Sequence, residues 1–191
     1  MTRFTARSLG MLVFAGLLAT PLSAQAIGEI VQNDTGDTAW ILTSSALVLM
    51  MTLPGLALFY GGLVRAKNVL SVALQTGAVA SIVSLLWIIV GYTLAFGDPT
   101  NGWVGNGRAW MLIELTNVRF ETTIPESAFV LFQMTFAIIA PALMIGAWVD
   151  RARFSWVVIF CALWSVVVYA PVAHWIWGVD DDAPQRAEDH H

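Results

Sequence analysis

Two phenylalanines spaced four residues apart are the clearest candidates for chemistry in this chain. Phe132 and Phe136 lie in an uncharged run, and an α-helix would place both rings on one face, one above the other. Trp177 ends a later uncharged run, so the three rings could meet near one membrane surface. Aromatic faces attract cations by ~0.5–2 kcal/mol, depending on desolvation. The pattern alone favours ordinary phenylalanine packing and an interfacial tryptophan belt, with a cation site as the open alternative.

Three polar side chains also fall inside uncharged runs. His174 lies close to the end of the last run, and we interpret it as interfacial, in reach of water or a headgroup, with a functional role as the alternative. For Gln75 and Gln133 the sequence favours hydrogen bonds between helices, with substrate contact as the alternative.

Four long runs without any Asp, Glu, Lys or Arg must position these residues. The chain is 58% hydrophobic and 12% charged, whereas a soluble domain carries roughly 25% charged residues. Each run is long enough to cross a bilayer as a helix, which needs about 20 residues. No fixed charge lies inside a run, so any path through them suits a small neutral species or a cation held by aromatic faces. The runs are 39–64, 69–96, 127–149 and 154–179.

Prolines and small residues recur inside these runs. Pro54, Pro141 and Pro171 each remove a backbone hydrogen bond, so we expect a kink at each. Small residues let helices approach closely in lipid. We therefore interpret most of the small residues in the runs as packing positions, including Gly55, Gly61, Gly62, Gly77 and Gly146.

The first 26 residues have the pattern of a secretory signal peptide. Arg3 and Arg7 precede a short apolar core, and Ala24-Gln25-Ala26 has the small-x-small form of a cleavage site. The core has about 14 residues, fewer than the roughly 20 that a span requires. We predict cleavage after Ala26, with an uncleaved first span as the alternative.

Short basic hairpins predict the orientation in the membrane. Arg65 and Lys67 follow the first run, and Arg151 and Arg153 follow the third. The positive-inside rule places both hairpins in the cytoplasm, and the mature N-terminus and the long 97–126 connection outside. We expect a multi-pass protein of the bacterial inner membrane.

Several functional classes find no support in the sequence. No basic patch suggests nucleic acid, and we find no nucleophile–base pair, metal cluster or phosphate loop, so neither an enzyme nor a cofactor is expected. Cys161 lies in an apolar run and is interpreted as a small buried residue. Residues 180–191 are polar and acidic, and we expect an unrelated or disordered tail.

Several segments together resemble the ammonium transporter (Amt/Mep/Rh) family, in order and over roughly residues 36–178. The most recognisable is PGLALFYGGLVR at 54–65, followed by KNVLS at 67–71. The others are GYTLAFG at 91–97, FQMTFA at 132–137, GA at 146–147 with RARFS at 151–155, and PVAHWIWG at 171–178. No single short motif carries the resemblance.

The resemblance implies an all-α membrane fold in which this chain, after its signal peptide, forms the first four of eleven helices. The family fold is an inverted repeat of five plus five helices, and its subunits form homotrimers. By resemblance, Phe132 and Phe136 match the phenylalanine gate, Phe136 and Trp177 match walls of the external ammonium recruitment site, and Tyr60 matches a pore-lining position nearer the cytoplasm. Ammonium would lose a proton and ammonia would cross the apolar pore of the bilayer-embedded subunit. A PII-type regulator would meet the cytoplasmic face.

The chain also departs from the family pattern. His174 matches neither of the two pore histidines, which belong to segments that this chain lacks. After Gly178 the composition changes abruptly, and we expect a truncation or a frameshift there. The hypothesis is therefore an N-terminal portion, 27–179, of an ammonium transporter or channel that does not transport alone. The alternative is a four-helix interaction or regulatory subunit that associates with full-length transporters.

Overall fold

The described part of the chain is all-helical. The structure is a computed structural model, and it describes residues 33–97, 103–107, 109–113, 115, 118–119, 122–149 and 151–178. Within these residues there is no β-strand, and four helices are long and apolar enough to cross a bilayer. This confirms the predicted fold class of four long apolar helices. The predicted signal peptide and tail lie outside the described residues. The helices are α1 (Thr35–Leu63), α2 (Ala66–Phe96), α3 (Glu126–Ala147) and α4 (Phe154–Trp177).

Local signals explain where α1 begins and ends. Asp34 is extended, and its carboxylate accepts hydrogen bonds from the backbone N–H groups of Gly36 at 2.6 Å and Asp37 at 3.0 Å. These bonds satisfy donors that have no partner within the helix. At the other end Val64 is extended, and a 3₁₀ turn over Ala66–Asn68 leads directly into α2. The hairpin is therefore short, and α1 and α2 run side by side.

Three of the four helices contain a π-helical turn. One such turn spans Met51–Gly55 and includes Pro54, and another spans Ser165–Tyr169 and directly precedes the helical segment that contains Pro171. Both lie where proline removes a backbone donor. The third turn, Trp87–Gly91, contains no proline, and the sequence analysis did not predict it. There a Cβ on Gly91 would lie 2.8 Å from Trp87 Cε3, so glycine makes room for the indole.

Helix α2 packs against the other three helices. Its fully buried side chains include Val72, Val79 and Val83, and Trp87 donates its indole N–H to the Val130 carbonyl of α3 at 3.2 Å. Cys161 of α4 is buried, as predicted, with its Sγ 3.7 Å from the Pro141 carbonyl oxygen of α3. The outward faces of the helices remain apolar, as contact with lipid requires.

The connections define two ends of the helix bundle. We call the end with residues 64–65, 148–149 and 151–153 the hairpin end, and the end with residues 33–34, 178 and the described residues of the 97–125 connection the loop end. At the loop end, the Asp34 N–H donates to the Thr123 carbonyl at 2.8 Å, and Trp175 Nε1 donates to the Trp103 carbonyl at 3.0 Å. The described parts of the α2–α3 connection are thus bound to α1 and α4.

Glycines at the loop end permit a very close backbone crossing. The Gly105 N–H donates to the Leu94 carbonyl at 2.9 Å, and Thr93 Oγ1 donates to the Asn106 carbonyl at 2.6 Å. A Cβ at Gly97 or at Gly105 would lie 2.4 Å from the Thr93 carbonyl oxygen. No side chain fits there, so these two positions require glycine.

Candidate functional site

Phe132 and Phe136 form a ring pair on the less buried side of α3. Their centroids are 5.0 Å apart with an angle of 77° between the planes. The sequence predicted rings lying one above the other, but the observed geometry is edge-to-face, the arrangement that the aromatic quadrupole favours. At about 100° per residue, the buried Ile138 and Pro141 lie on the other side of the helix. Phe136 keeps 37% of its surface exposed.

Trp177 lies at the loop end of α4 and is 63% exposed. Its neighbour Trp175 packs edge-to-face on Trp103, with centroids 5.6 Å apart. Within the described residues, no ring contact joins Trp177 to Phe132 or Phe136. The structure thus brings the two phenylalanines together but leaves the tryptophan apart, and the cation site predicted from all three rings stays a prediction.

Tyr60 lies at the opposite end from Trp177. Its hydroxyl donates to the Leu143 carbonyl of α3 at 2.8 Å, where that helix is about to end. A Cβ on Gly146 would lie 2.4 Å from Tyr60 Cε1, so the ring packs directly on this glycine. Tyr60 also lines a cavity of about 250 Å³ at the hairpin end. Its role in a pore is untested, but its position between α1 and α3 is well defined.

His174 is buried, which corrects its interpretation as an interfacial residue. Only 6% of its surface is exposed, and its Nδ1 lies 3.1 Å from the Ala95 carbonyl oxygen. A carbonyl only accepts, so Nδ1 carries the proton in this contact. Ala95 belongs to the last turn of α2, whose carbonyls lack partners within the helix. The imidazole therefore joins α4 to the end of α2.

Gln75 does not make the interhelical hydrogen bond that the sequence suggested. Its Nε2 lies 3.4 Å from Ser71 Oγ in the same helix, and its buried Oε1 has no partner in the part of the chain that the structure describes. The side chain is 1% exposed. Gln133 is half-buried, and its hydrogen bond between helices stays a prediction.

A cation already lies against aromatic rings at the loop end. The guanidinium carbon of Arg119 is 3.7 Å from the Phe129 ring centroid and 5.1 Å from that of Phe96. Nearby, the Tyr92 hydroxyl donates to Glu126 Oε1 at 2.7 Å. Burial lowers the pKa of Arg119, and the neighbouring Tyr92 and Glu126 partly oppose that change. Sequence reasoning missed this cluster because it considered the 97–126 connection only for its orientation in the membrane.

The contact with Arg119 distinguishes Phe129 from the other two phenylalanines discussed on α3. Phe129 is covered by Arg119, whereas Phe132 and Phe136, on the same helix, have no such cation among the described residues. Phe132 and Phe136 therefore keep ring surface that no described cation covers. No group of three metal-ligating side chains occurs in the described part of the chain.

The chain is similar to proteins of one family over most of its length. The model of the Ammonium Transporter Family matches residues 39–181. An ammonium transporter of Aquifex aeolicus is 43% identical over 173 residues, which cover 90% of this chain and 40% of that protein. A putative ammonium transporter of Methanothermobacter thermautotrophicus is 48% identical over 147 residues, covering 76% and 36%.

A solved structure shows the same fold. The crystal structure of Candida albicans Mep2 aligns with a TM-score of 0.66 at 33% identity, covering 76% of this chain and 32% of that one. The chain thus spans about 40% or less of the length of the relatives described here.

Proposed function

Because this chain belongs to the ammonium transporter family, we propose that it contributes four membrane helices to a protein that moves ammonium or ammonia across a membrane. The observation that carries the proposal is the match of one family model over residues 39–181, which include all the described helices from Ala39 onward. The helices also make this a multi-pass membrane protein. The alternative of a regulatory subunit gains no support from the comparisons.

The proposed recruitment site consists of Phe136 and Trp177. Both side chains are exposed among the described residues, and both can present ring surface to a cation. Ammonium binds such surface electrostatically and sheds water as it becomes enclosed. Because the runs 39–64, 69–96, 127–149 and 154–179 contain no Asp, Glu, Lys or Arg, a neutral molecule would continue more readily than the ion.

Phe132 and Phe136 form the proposed gate. An edge-to-face pair offers one ring face and one ring edge, so a small side-chain rotation changes the width of the passage beside it. Tyr60 is the proposed pore-lining residue toward the hairpin end, where its hydroxyl is held by Leu143. The route therefore runs along the sides of α1 and α3.

We propose that the four helices do not transport alone. Phe136 and Trp177 are exposed and make no ring contact with each other among the described residues, which is consistent with further walls supplied by the rest of a longer protein. The whole protein is proposed to be a homotrimer of the bacterial inner membrane, with a PII-type regulator at the hairpin end. Both assembly proposals rest on family resemblance, and native mass spectrometry of the whole protein tests them.

The test is methylammonium uptake in a host that lacks its own ammonium transporters. Residues 33–178 replace the matching segment of the Aquifex aeolicus relative, and the 191-residue chain is expressed separately. We expect uptake from the chimera and none from the chain alone. In the chimera, Phe136→Ala and Trp177→Ala should each weaken apparent affinity by roughly 2- to 30-fold, the equivalent of ~0.5–2 kcal/mol.

Trp40→Ala is the matched control. Trp40 is 73% exposed near the loop end of α1, so the change removes an equally accessible indole outside the proposed site. Uptake within twofold of the unmodified chimera is expected. A folded, membrane-inserted chimera without uptake would contradict the proposed function, and equal losses in all three variants would contradict the proposed recruitment site.

A further inference from the structure

We propose that His174 is a positioning residue for Trp177, the tryptophan of the proposed recruitment site. Its imidazole fixes the last turn of α4 to the end of α2 and thereby holds the Trp177 indole in place. His174 acts through the tryptophan and does not itself contact the cation. The proposal rests on the proposed function, because it concerns how one wall of that recruitment site is held.

The Trp177 indole has no aromatic partner of its own in the described part of the chain. It is 63% exposed, and the nearby ring contact joins Trp175 to Trp103 instead. An exposed side chain without such a partner takes its direction from the backbone that carries it. The position of the indole therefore depends on what holds the last turn of α4.

His174 is the buried anchor of that turn. Its imidazole is 6% exposed, and its Nδ1 donates to the Ala95 carbonyl at 3.1 Å. The preceding carbonyl, that of Leu94, accepts from the Gly105 N–H at 2.9 Å. Carbonyls in the last turn of a helix lack partners within the helix. His174 therefore serves Ala95 as Gly105 serves Leu94, and it joins α4 to the end of α2.

The chain leaves α4 directly against the imidazole. The Gly178 N–H donates to the His174 carbonyl at 2.8 Å, and Gly178 is extended, so the helix ends at Trp177. A Cβ on Gly178 would lie 2.4 Å from the His174 carbonyl oxygen and 3.1 Å from His174 Nδ1. Trp177 thus lies between a residue bonded to α2 and a glycine packed on that same residue.

Spacing along the helix couples the two side chains. Residues three apart differ by about 60° around the axis of an α-helix, so their side chains lie on adjacent faces. His174 faces α2, whereas Trp177 is exposed beside that face. Rotation of the last turn about the helix axis would move both side chains together. A bond that stops this rotation at His174 therefore also fixes the backbone that carries the indole.

The test is methylammonium uptake by the chimera with two different amides in place of His174. The amide nitrogen of Asn is as many bonds from Cβ as histidine Nδ1, whereas that of Gln lies one bond further out. His174→Gln should raise KM by roughly 2- to 30-fold, the range for loss of one aromatic cation contact. His174→Asn should keep KM within twofold. Vmax per inserted protein should be unchanged in both variants.

A double-mutant cycle tests whether His174 acts through Trp177. Adding His174→Gln to Trp177→Ala should change KM by less than twofold, because the indole that it would displace is already absent. If His174→Gln raises KM by the same factor with and without the indole, the histidine acts independently and the proposal is overturned.

Thr93→Val is the matched control. It removes another buried side-chain hydrogen bond at the loop end, from Thr93 Oγ1 to the Asn106 carbonyl at 2.6 Å, but changes no residue of α4. Its KM should stay within twofold of the unmodified chimera, even where its melting temperature falls as far as that of His174→Gln. Equal increases in KM would show that any loosening of the loop end weakens uptake, which would overturn the proposal.

Hydrogen exchange measured by mass spectrometry tests the anchor without transport. In the 191-residue chain in detergent, peptides from 170–178 should exchange several-fold faster in His174→Gln than in the unmodified chain or in His174→Asn, because the last turn opens more easily. Peptides from Glu126–Met144 of α3 are the internal reference and should not change. Equal exchange of 170–178 in all three proteins would overturn the proposal.

The positioning role and the recruitment site fail in different ways. If Trp177→Ala leaves KM unchanged, the proposed recruitment site is wrong, whereas faster exchange in His174→Gln would still support the anchor. If Trp177→Ala raises KM but Asn and Gln at position 174 behave alike, the recruitment site stands and the positioning role is wrong.

Discussion

At the scale of single residues, the polar side chains show where sequence reasoning reached its limit. His174 was expected at a membrane surface because it lies near the end of an apolar run, yet it is buried against the Ala95 carbonyl. Position along a run does not reveal rotation about the helix axis. That rotation depends on packing between helices far apart in sequence. Phe132 and Phe136, by contrast, were correctly placed on one face because their relation is local.

Arg119 should stabilise the loop end through its contact with Phe129. Replacing it with Gln removes a cation 3.7 Å from the ring centroid and a positive charge that interacts with Glu126. We expect Arg119→Gln to lower the free energy of unfolding by about 1–2 kcal/mol. Thermal or denaturant unfolding in detergent measures this change.

The control is Arg65→Gln, because Arg65 is exposed in the hairpin and has the same charge. Its unfolding free energy should change by less than about 0.5 kcal/mol, as is usual for exposed surface positions. Equal destabilisation in the two variants would show that the aromatic contact contributes nothing beyond net charge.

At the scale of helices, the glycines fall into two groups that the sequence treated as one. Gly61 and Gly146 are close to Val69 and Tyr60 from neighbouring parts of the fold, as helix packing through small residues predicts. A Cβ at Gly62 or Gly77, however, would meet nothing within 4 Å in the described part of the chain. Composition shows that glycine is frequent, but only the three-dimensional structure shows which glycines have neighbours.

Substitutions at two glycine positions should therefore have opposite effects. Gly97→Ala places a methyl group 2.4 Å from the Thr93 and 2.5 Å from the Asn106 carbonyl oxygens, so the loop end must separate from α2. We expect a loss of about 2 kcal/mol or more, and greater proteolytic cleavage between α2 and α3. Gly77→Ala adds a methyl group to open space inside a helix and should be neutral or stabilising by up to about 1 kcal/mol.

Unfolding in detergent and limited proteolysis distinguish these variants. The Thr93 hydroxyl donates to the Asn106 carbonyl at the same backbone crossing, so Gly97→Ala should also break this hydrogen bond. If Gly97→Ala is as stable as Gly77→Ala, the close crossing does not exist in solution.

At the scale of the molecule, the fold was predictable because its main determinant is simple. Four uncharged runs of this length in lipid form helices, since a helix satisfies its backbone groups within the run and a membrane-spanning strand needs only about 10 residues. The π turn at Trp87–Gly91 and the loop-end cluster were not predictable, because each depends on contacts between distant segments. The sequence indicated which residues could form the candidate site but not how they lie relative to one another, since Trp177 and the phenylalanines belong to different helices.

The orientation of the whole molecule remains a prediction with a direct test. Arg65, Lys67, Arg151 and Arg153 all belong to the hairpin end, which should therefore face the cytoplasm. Alkaline phosphatase joined after Lys67 should be inactive, and the same enzyme joined after Gly178 should be active. Changing all four basic residues to Gln should weaken this difference, because it removes the charge bias. Activity after Lys67 with none after Gly178 would establish the opposite orientation.

The π turn at Ser165–Tyr169 has a consequence for how this fold tolerates change. Its closing hydrogen bond runs from the Ala170 N–H to the Ser165 carbonyl, one residue wider than in an α-helix. The extra residue rotates the side chains of the second half of α4 by about 100° around the helix axis relative to those of the first half. His174 and Trp177 both lie beyond it, so their directions are set by a turn that neither residue touches. Inserting or deleting one residue in this turn would therefore redirect the side chains at this end of α4 without any substitution. A residue-by-residue comparison of related sequences would overlook such a change.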